Sequence, residues 1–408
     1  MKILFLNAYF YPENISFSHL ESDLMKGLMD AGHELTVVCP TPSRGVSEEI
    51  YQKYKNIKKE NVNGIAVQRD RAPREGKNPV IRAFRYFWCN FRGNQIAKRY
   101  KDTDVVFADS TPPTQGLFAG KLAKKLDVPF VYSLQDLFPD TLLTSGLMKR
   151  KSFLYRVGLR IEKKTYKSAS KIIVISETMH RILLQKGVPE EKLLTVSNWI
   201  DVDRTVPVPK EKNTLFGEFG IDKNKFIVVY AGNFGNIQGT QVIVETAELL
   251  KDDPDIFFAI FGLGTDYEKC KEYIRQNDLN NIRMYPLQPI ERVSEVYSLG
   301  DVALVTCRKG TSKTVMPSKV WSIMACNTPI VASFDTDSEL ADIIKECSAG
   351  IVVEPENPQA LAHALRKTCK AKAENSMPVS GSREYVTAHA SSKICVGKYV
   401  DCIKSAAE

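Results

Sequence analysis

The stretch Phe226–Gly239, FIVVYAGNFGNIQG, decides how the chain is read. Its first half is a β-branched apolar run that stops at Gly232. Glycines follow at 232, 235 and 239, and then the helix-like TQVIVETAELLK. A parallel strand that runs through a glycine loop into a helix start presents free N–H groups and the positive end of a helix dipole, which together hold a phosphate. The same turn also serves as a plain tight connection, so the rest of the chain has to decide between the two.

On both sides of this stretch, short apolar runs alternate with helical patterns. The expected strands before it are KILFLN, ELTVVCP, GIAVQR, DVVFAD, PFVYSL, KIIVIS and LLTVSN; those after it are FFAIFG, IRMYPL, VALVTC, PIVASF and GIVVEP. Continuous rather than alternating hydrophobicity, with helices between, indicates parallel sheets covered on both faces. The expectation is α/β, with two doubly wound Rossmann-like domains in tandem and a cleft at the carboxyl ends of their strands. Residues 1–201 form the first domain, 202–224 a polar linker with two prolines and two glycines, and 225–382 the second. A C-terminal helix at about 383–408 is expected to return to the first domain.

The 408 residues are 43% hydrophobic and 25% charged, an ordinary globular balance with material for two cores. No run approaches the ~20 apolar residues of a membrane span. MKILFLNAYFYPEN is broken too early by Pro12 and Glu13 for a signal peptide and reads as a buried strand. Nine scattered cysteines without C-x-x-C or His/Cys spacing indicate reduced thiols of a cytoplasmic protein, not a zinc site or disulfide framework.

The net charge of +8 is unevenly spread. From Arg69 to Lys101, ten Lys/Arg stand against two Asp/Glu, among Phe84, Tyr86, Phe87, Trp88 and Phe91. From Lys149 to Lys171 there are nine against one, among Phe153, Leu154, Tyr155 and Val157. Either these are solvated helices with their aromatic faces on the core, or they rest on an anionic membrane surface, where each cation contributes ~1 kcal/mol. Nucleic acid is not expected, because no binding motif accompanies the charge.

The ordered series AGHELTVVCP, KIIVISETMHRILLQKGVPEEKLLTVSNWID, YAGNFGNIQG, FGLGTDYEKCKEYI, ERVSEVYSLGDVALVTC and MPSKVWSIMACNTPIVAS resembles the family-4 retaining glycosyltransferases of the GT-B fold. YFYPEN, DLFPD at Asp136–Asp140, SNWID at Ser197–Asp201 and Pro317-Ser318-Lys319 bring it nearest to bacterial transferases of O-antigen and capsule synthesis that handle N-acetylated aminosugars. Two departures stand out. Thr314 and Ser322 occupy the positions of two family glutamates, and Asn233 and Gln238 stand where relatives often carry Arg and Lys.

The resemblance implies a UDP-sugar donor as co-substrate, no cofactor and no metal. Gly232, Asn233, Gly235 and Gln238 are expected at the diphosphate, with Gly262 and Gly264 beside the nucleotide and Leu287 offering its backbone to the uracil. Lys319, after Pro317 and Ser318 at a helix start, is expected to meet the diphosphate, with Arg308 or Lys313 as possible helpers; otherwise it is a surface lysine. On the acceptor side stand Ser16, Ser18, His19, Gln135 and Asp136. Asp136 either takes the acceptor proton or caps the next turn. The triplets Asp201-Val-Asp203 and Asp335-Thr-Asp337 match a metal pattern of a different fold, and Asp337 is equally an N-cap. The function implied is transfer of an N-acetylhexosamine derivative to a polyprenyl-diphosphate-linked glycan, on the cytoplasmic face of the membrane. A UDP-sugar 2-epimerase and a non-catalytic nucleotide-sugar-binding partner are the alternatives.

Overall fold

The structure is a computed structural model that describes all residues except 14–16, 76–78, 145, 147 and 379, and the side chains of residues 79 and 80. It divides into two compact units, Met1–Asn198 with Cys395–Glu408, and Trp199–Ile394.

The first unit holds an eight-stranded sheet. Its strands are β1 (Lys2–Leu6), β2 (Glu34–Pro40), β3 (Lys59–Val62), β4 (Ile65–Asp70), β5 (Val105–Asp109), β6 (Phe130–Leu134), β7 (Lys171–Val174) and β8 (Leu193–Thr195). The order is β3-β4-β2-β1-β5-β6-β7-β8, parallel throughout except that β3 runs antiparallel to β4 at the edge. The second unit holds β9 (Phe226–Asn233), β10 (Ile256–Leu263), β11 (Ile282–Pro286), β12 (Val302–Thr306), β13 (Ile330–Ser333) and β14 (Gly350–Val353), all parallel, in the order β11-β10-β9-β12-β13-β14.

β9 shows why its sequence is apolar at every position. Ile227, Val229 and Ala231 enter one core cluster, with Phe261, Trp321 and Met324. Phe226, Val228 and Tyr230 enter the cluster on the opposite face, with Phe258, Val242 and Leu361. Each large side chain so buried contributes ~1.5–3 kcal/mol of transfer free energy. In each sheet the order reverses next to the first strand, between β1 and β5 and between β9 and β12. Those are the places where doubly wound sheets receive ligands.

Residues 202–224 are not a free linker. They carry a short helix, Leu215–Phe219, closed by Gly220 in the left-handed region (φ +61°). Leu215, Phe216 and Ile221 are buried in the second core, and Lys210 pairs with the buried carboxylate of Asp301 at 2.9 Å. A few apolar anchors fix a segment whose composition is polar. The C-terminal stretch is likewise split. Val386 and Ala390, in and after the helix Ser382–His389, are buried in the second core, and the chain rejoins the first unit only from Cys395. There Tyr399, on the helix Ser392–Ala407, places its hydroxyl 3.0 Å from Ser133 Oγ. Among the described residues, no helix is long and apolar enough to cross a membrane.

Candidate active site

The carboxyl ends of β9, β10 and β11 lie in register, Gly232 beside Gly262 and Gly262 beside Pro286. The loop after β9 is fastened to its neighbours by main-chain bonds. Phe234 N–H donates to Leu263 O at 2.7 Å, Asp266 N–H to Phe234 O at 2.9 Å, and Arg308 N–H to Ile237 O at 2.9 Å. Thr306 Oγ1 donates to Gln238 O at 2.8 Å.

Phe234 is 1% exposed and sits edge-on to Tyr230 and Tyr267, with ring centroids 5.4 and 5.5 Å away. Two glycines make room for it. A Cβ on Gly262 would fall 2.4 Å from the Phe234 ring, and one on Gly264, at φ +140°, 2.5 Å from the Phe234 carbonyl oxygen. Over Gly235 the amides of Asn233 and Gln238 converge, each under 3 Å from where a Cβ would stand. Thus Gly232, Asn233, Gly235, Gln238, Gly262 and Gly264 come together. The sequence reading missed Phe234, which locks the loop, although a lone aromatic inside a glycine turn was the available signal.

Lys319 opens the helix Lys319–Ala325, with the exposed Ser318 as its N-cap. Its Nζ lies 3.8 Å from the centroid of the Tyr230 ring and 2.8 Å from the position of a Cβ on Gly232. The side chain is half-buried, but Nζ itself is shielded from solvent and has no hydrogen-bond partner among the described residues. Removal from water pushes its pKa down to about 7, only partly opposed by Cys307. The aromatic face offsets part of that desolvation. Tyr230 is itself held by its hydroxyl, which donates to Asn233 O at 2.9 Å.

The other cations considered stand elsewhere. Arg308 and Lys313 are exposed, and Arg308 leans toward Glu356 at 3.8 Å. Leu287 follows β11 and is exposed, as are Leu263 and Ile290, so an apolar rim marks the ends of β10 and β11. Thr314 and Ser322, at the positions of the family glutamates, are both buried.

The acidic triplets have structural roles. Asp335 accepts from Gly310 N–H at 2.9 Å and from Ser312 N–H at 3.2 Å, fastening the loop after β12. Ser338, not Asp337, caps the helix Glu339–Glu346 by accepting from Ala341 N–H. Asp201 Oδ1 accepts from the N–H groups of Asp203 and Arg204 in a turn.

In the first unit, Gln135 and Asp136 follow β6. Gln135 N–H donates to Ser110 Oγ at 3.0 Å, and its Nε2 to Ser133 Oγ at 3.2 Å. Asp136 is exposed. Ser18 starts the helix Ser18–Asp30 and donates to Glu13 O, and burial lowers the pKa of His19, favouring the neutral ring. Ser16 lies outside the described residues. Three carboxylates gather here that the sequence reading did not single out. Asp109, at the end of β5, is pushed up to about 7 by burial. Glu21 is raised well above the usual range by burial and by Asp109, and receives a hydrogen bond from Asn7 Nδ2. Glu13 is buried and accepts from Ser43 and Arg44 N–H at 2.8 Å each. Asp109 in DVVFADS was legible only as the last residue of a strand.

Two parallel-sheet α/β units, the second with a glycine loop and a shielded lysine at its switch point, are the frame of GT-B sugar transferases. Residues 22–204 match the family model Glycosyltransferase Family 4, and residues 211–384 match Glycosyl transferases group 1. The chain belongs to the family-4 glycosyltransferases and has the GT-B fold. It is 27% identical over 303 residues to the "Probable glycosyltransferase WbjE" of Pseudomonas aeruginosa, covering 73% of this chain and 74% of that one. Against the Escherichia coli colanic acid biosynthesis glycosyl transferase WcaI it is 24% identical over 395 residues, 94% and 95% of the two chains. The crystal structure of Anabaena Alr3699/HepE in complex with UDP superposes with a TM-score of 0.73 at 14% identity, covering 99% of this chain and all of that one.

Proposed function

We propose that this glycosyltransferase moves a sugar, an N-acetylhexosamine derivative, from UDP to a polyprenyl-diphosphate-linked glycan in bacterial surface polysaccharide synthesis, with retention at the anomeric carbon. It works at the cytoplasmic face of the membrane, held peripherally to the anionic surface. The observation that carries the donor assignment is the Lys319 ammonium, shielded and without a hydrogen-bond partner among the described residues, above Gly232 at the β9–β12 switch point. A diphosphate would supply the charge and acceptors this group lacks. The names of WbjE, WcaI and the UDP complex of HepE support the sugar-nucleotide and polysaccharide reading.

In the reaction the anomeric C–O bond to the diphosphate breaks while a bond to the acceptor oxygen forms on the same face. The acceptor proton passes to the departing diphosphate oxygen. Lys319 and the loop N–H groups stabilise the charge that develops there. Asp136 stands on the acceptor side as the alternative proton acceptor.

The proposal is tested by thermal unfolding with UDP and UDP-sugars, followed by turnover of the best binder with lipid-linked acceptors. A ligand at 100 times its Kd should stabilise the second unit by ~2.7 kcal/mol. Turnover by the single purified chain is expected. Epimer formation from UDP-sugar alone, or binding without turnover, would select one of the two alternatives instead. Because Asp201 and Asp335, one from each acidic triplet, are engaged with main-chain N–H groups, transfer is expected to persist in excess EDTA at no less than about half the untreated rate. A loss restored by Mg²⁺ would refute the metal-independent assignment.

A further inference from the structure

The helix Pro79–Ala97 is turned inside out. Its core-facing side carries Arg85, Asn90, Asn94 and Ala97, all buried. Its solvent side carries Phe84, Phe87, Trp88 and Phe91, exposed by 60, 56, 39 and 44%. The spacing i, i+3, i+4, i+7 places these four rings on one face. The inward side chains are anchored locally, and the Arg85 guanidinium also faces Glu75 at 3.6 Å. Asn90 Nδ2 donates to Thr114 Oγ1 at 2.8 Å, Asn94 Nδ2 to Phe118 O at 2.6 Å, and Arg85 Nε to Pro73 O at 2.8 Å. Water is the wrong solvent for the other face.

The aromatic face continues onto the adjacent helix, Gln115–Leu126. Phe87 meets Phe118 edge-on at 5.7 Å, and Phe84 stacks near Trp88 at 6.3 Å. Lys121 lies over the Phe118 ring at 5.5 Å, and Lys121, Lys124 and Lys125 are exposed along that helix. Between Glu75 and Asp102 the chain has no acidic residue. Arg82 and Arg92 on the helix pair with Glu75 and Asp70 at 3.3 and 3.1 Å, and the exposed lysines of the neighbouring helix supply further positive charge beside the rings. Exposed aromatics bordered by cations match the headgroup–acyl boundary of an anionic bilayer, which takes rings at its edge and cations at its surface.

We infer that the helix Pro79–Ala97 is the membrane-docking element of this enzyme, lying in the plane of an anionic lipid surface with Phe84, Phe87, Trp88 and Phe91 inserted among the acyl chains. The inference deepens the membrane reading proposed above and rests on it. A second exposed apolar pair, Phe153 and Leu154, begins the helix Phe153–Ser168, but it contains no aromatic face of the kind that Phe84, Phe87, Trp88 and Phe91 make.

The chain carries its own reporter. Of its three tryptophans, Trp199 and Trp321 are 4% and 2% exposed, so lipid contact acts on Trp88. Vesicles of phosphatidylglycerol and phosphatidylcholine should shift the emission to shorter wavelength, and bromine-substituted acyl chains should quench it. Phosphatidylcholine vesicles alone should bind far more weakly. A Phe84→Ser/Phe87→Ser/Phe91→Ser variant, altered only at exposed positions, should bind at least ~10-fold more weakly while keeping its UDP-induced thermal shift. The Phe153→Ser/Leu154→Ser variant should bind as the parent does.

Flotation of the parent without quenching of Trp88 would overturn the assignment to this helix and leave membrane attachment standing through another surface. No flotation with any anionic vesicle would overturn both. Sedimentation showing a dimer, with Trp88 emission already shifted and concentration-dependent in the absence of lipid, would assign the face to a second copy of the chain instead.

Discussion

Replacing Lys319 by alanine should lower kcat/KM by ~10²-fold or more, the usual consequence of deleting a charged group that stabilises a leaving anion. The fold should survive, since the ammonium has no hydrogen-bond partner among the described residues that would be lost. The pH dependence is the sharper test. Burial in the free enzyme brings the Lys319 pKa down to about 7. Below that pH the amine is already charged when the donor arrives. Above it, donor binding must take up a proton, so kcat/KM for the donor should fall by ~10-fold per pH unit on the alkaline side of neutrality. Calorimetry at pH 8 in buffers of different ionisation enthalpy should register that uptake. Alanine should abolish both the uptake and this limb of the profile. An alanine variant with normal turnover, or a parent that binds UDP without proton uptake at pH 8, would remove Lys319 from the diphosphate.

Gly264→Ala should strongly destabilise the second unit. The φ of +140° is closed to side-chain-bearing residues at ~1–3 kcal/mol, and the new Cβ meets main-chain atoms of Phe234 at 2.5 and 2.7 Å. Those atoms belong to a loop held on both sides, so the overlap adds a further ~1–3 kcal/mol. At ~2–4 °C per kcal/mol for a domain of this size, the second unit should melt well below the parent. UDP should no longer stabilise it. Gly217, which has open space around its Cβ position, is the control: alanine there should leave both readings unchanged. Parent-like melting and a parent-like UDP shift in Gly264→Ala would mean that Phe234 does not anchor the loop as described.

The architecture was legible because its signals are local. The central parallel strands are apolar at successive positions, as in Ile227–Tyr230, and Gly232 and Gly262 stand at strand ends. Gly232, Gly262 and Gly264 could be marked for the same reason, and Lys319 by the proline and serine before it. What escaped depends on tertiary contacts. A linker looks polar when its apolar anchors are as few as Leu215, Phe216 and Ile221. Whether the Lys319 ammonium meets water depends on Tyr230, 89 positions earlier in the chain (319 − 230). The carboxylates at the β1–β5 reversal come from three separate segments, so no spacing could announce them. In the helix Pro79–Ala97, composition alone allowed the aromatics to face inward or outward, and the asparagines that turn it around bond to Thr114 and Phe118, outside the helix.

The locked loop after β9 also bears on redesign. With Phe234 wedged between two tyrosines and its flanking carbonyls and amides already engaged, the loop proposed to hold the diphosphate has little latitude for new specificity. The side chains of Leu263, Leu287 and Ile290 are exposed, and Leu263 holds the loop through its main-chain carbonyl, which a side-chain change leaves in place. Libraries meant to retune nucleotide or sugar preference should therefore diversify that trio and keep residues 232–239 as an invariant chassis.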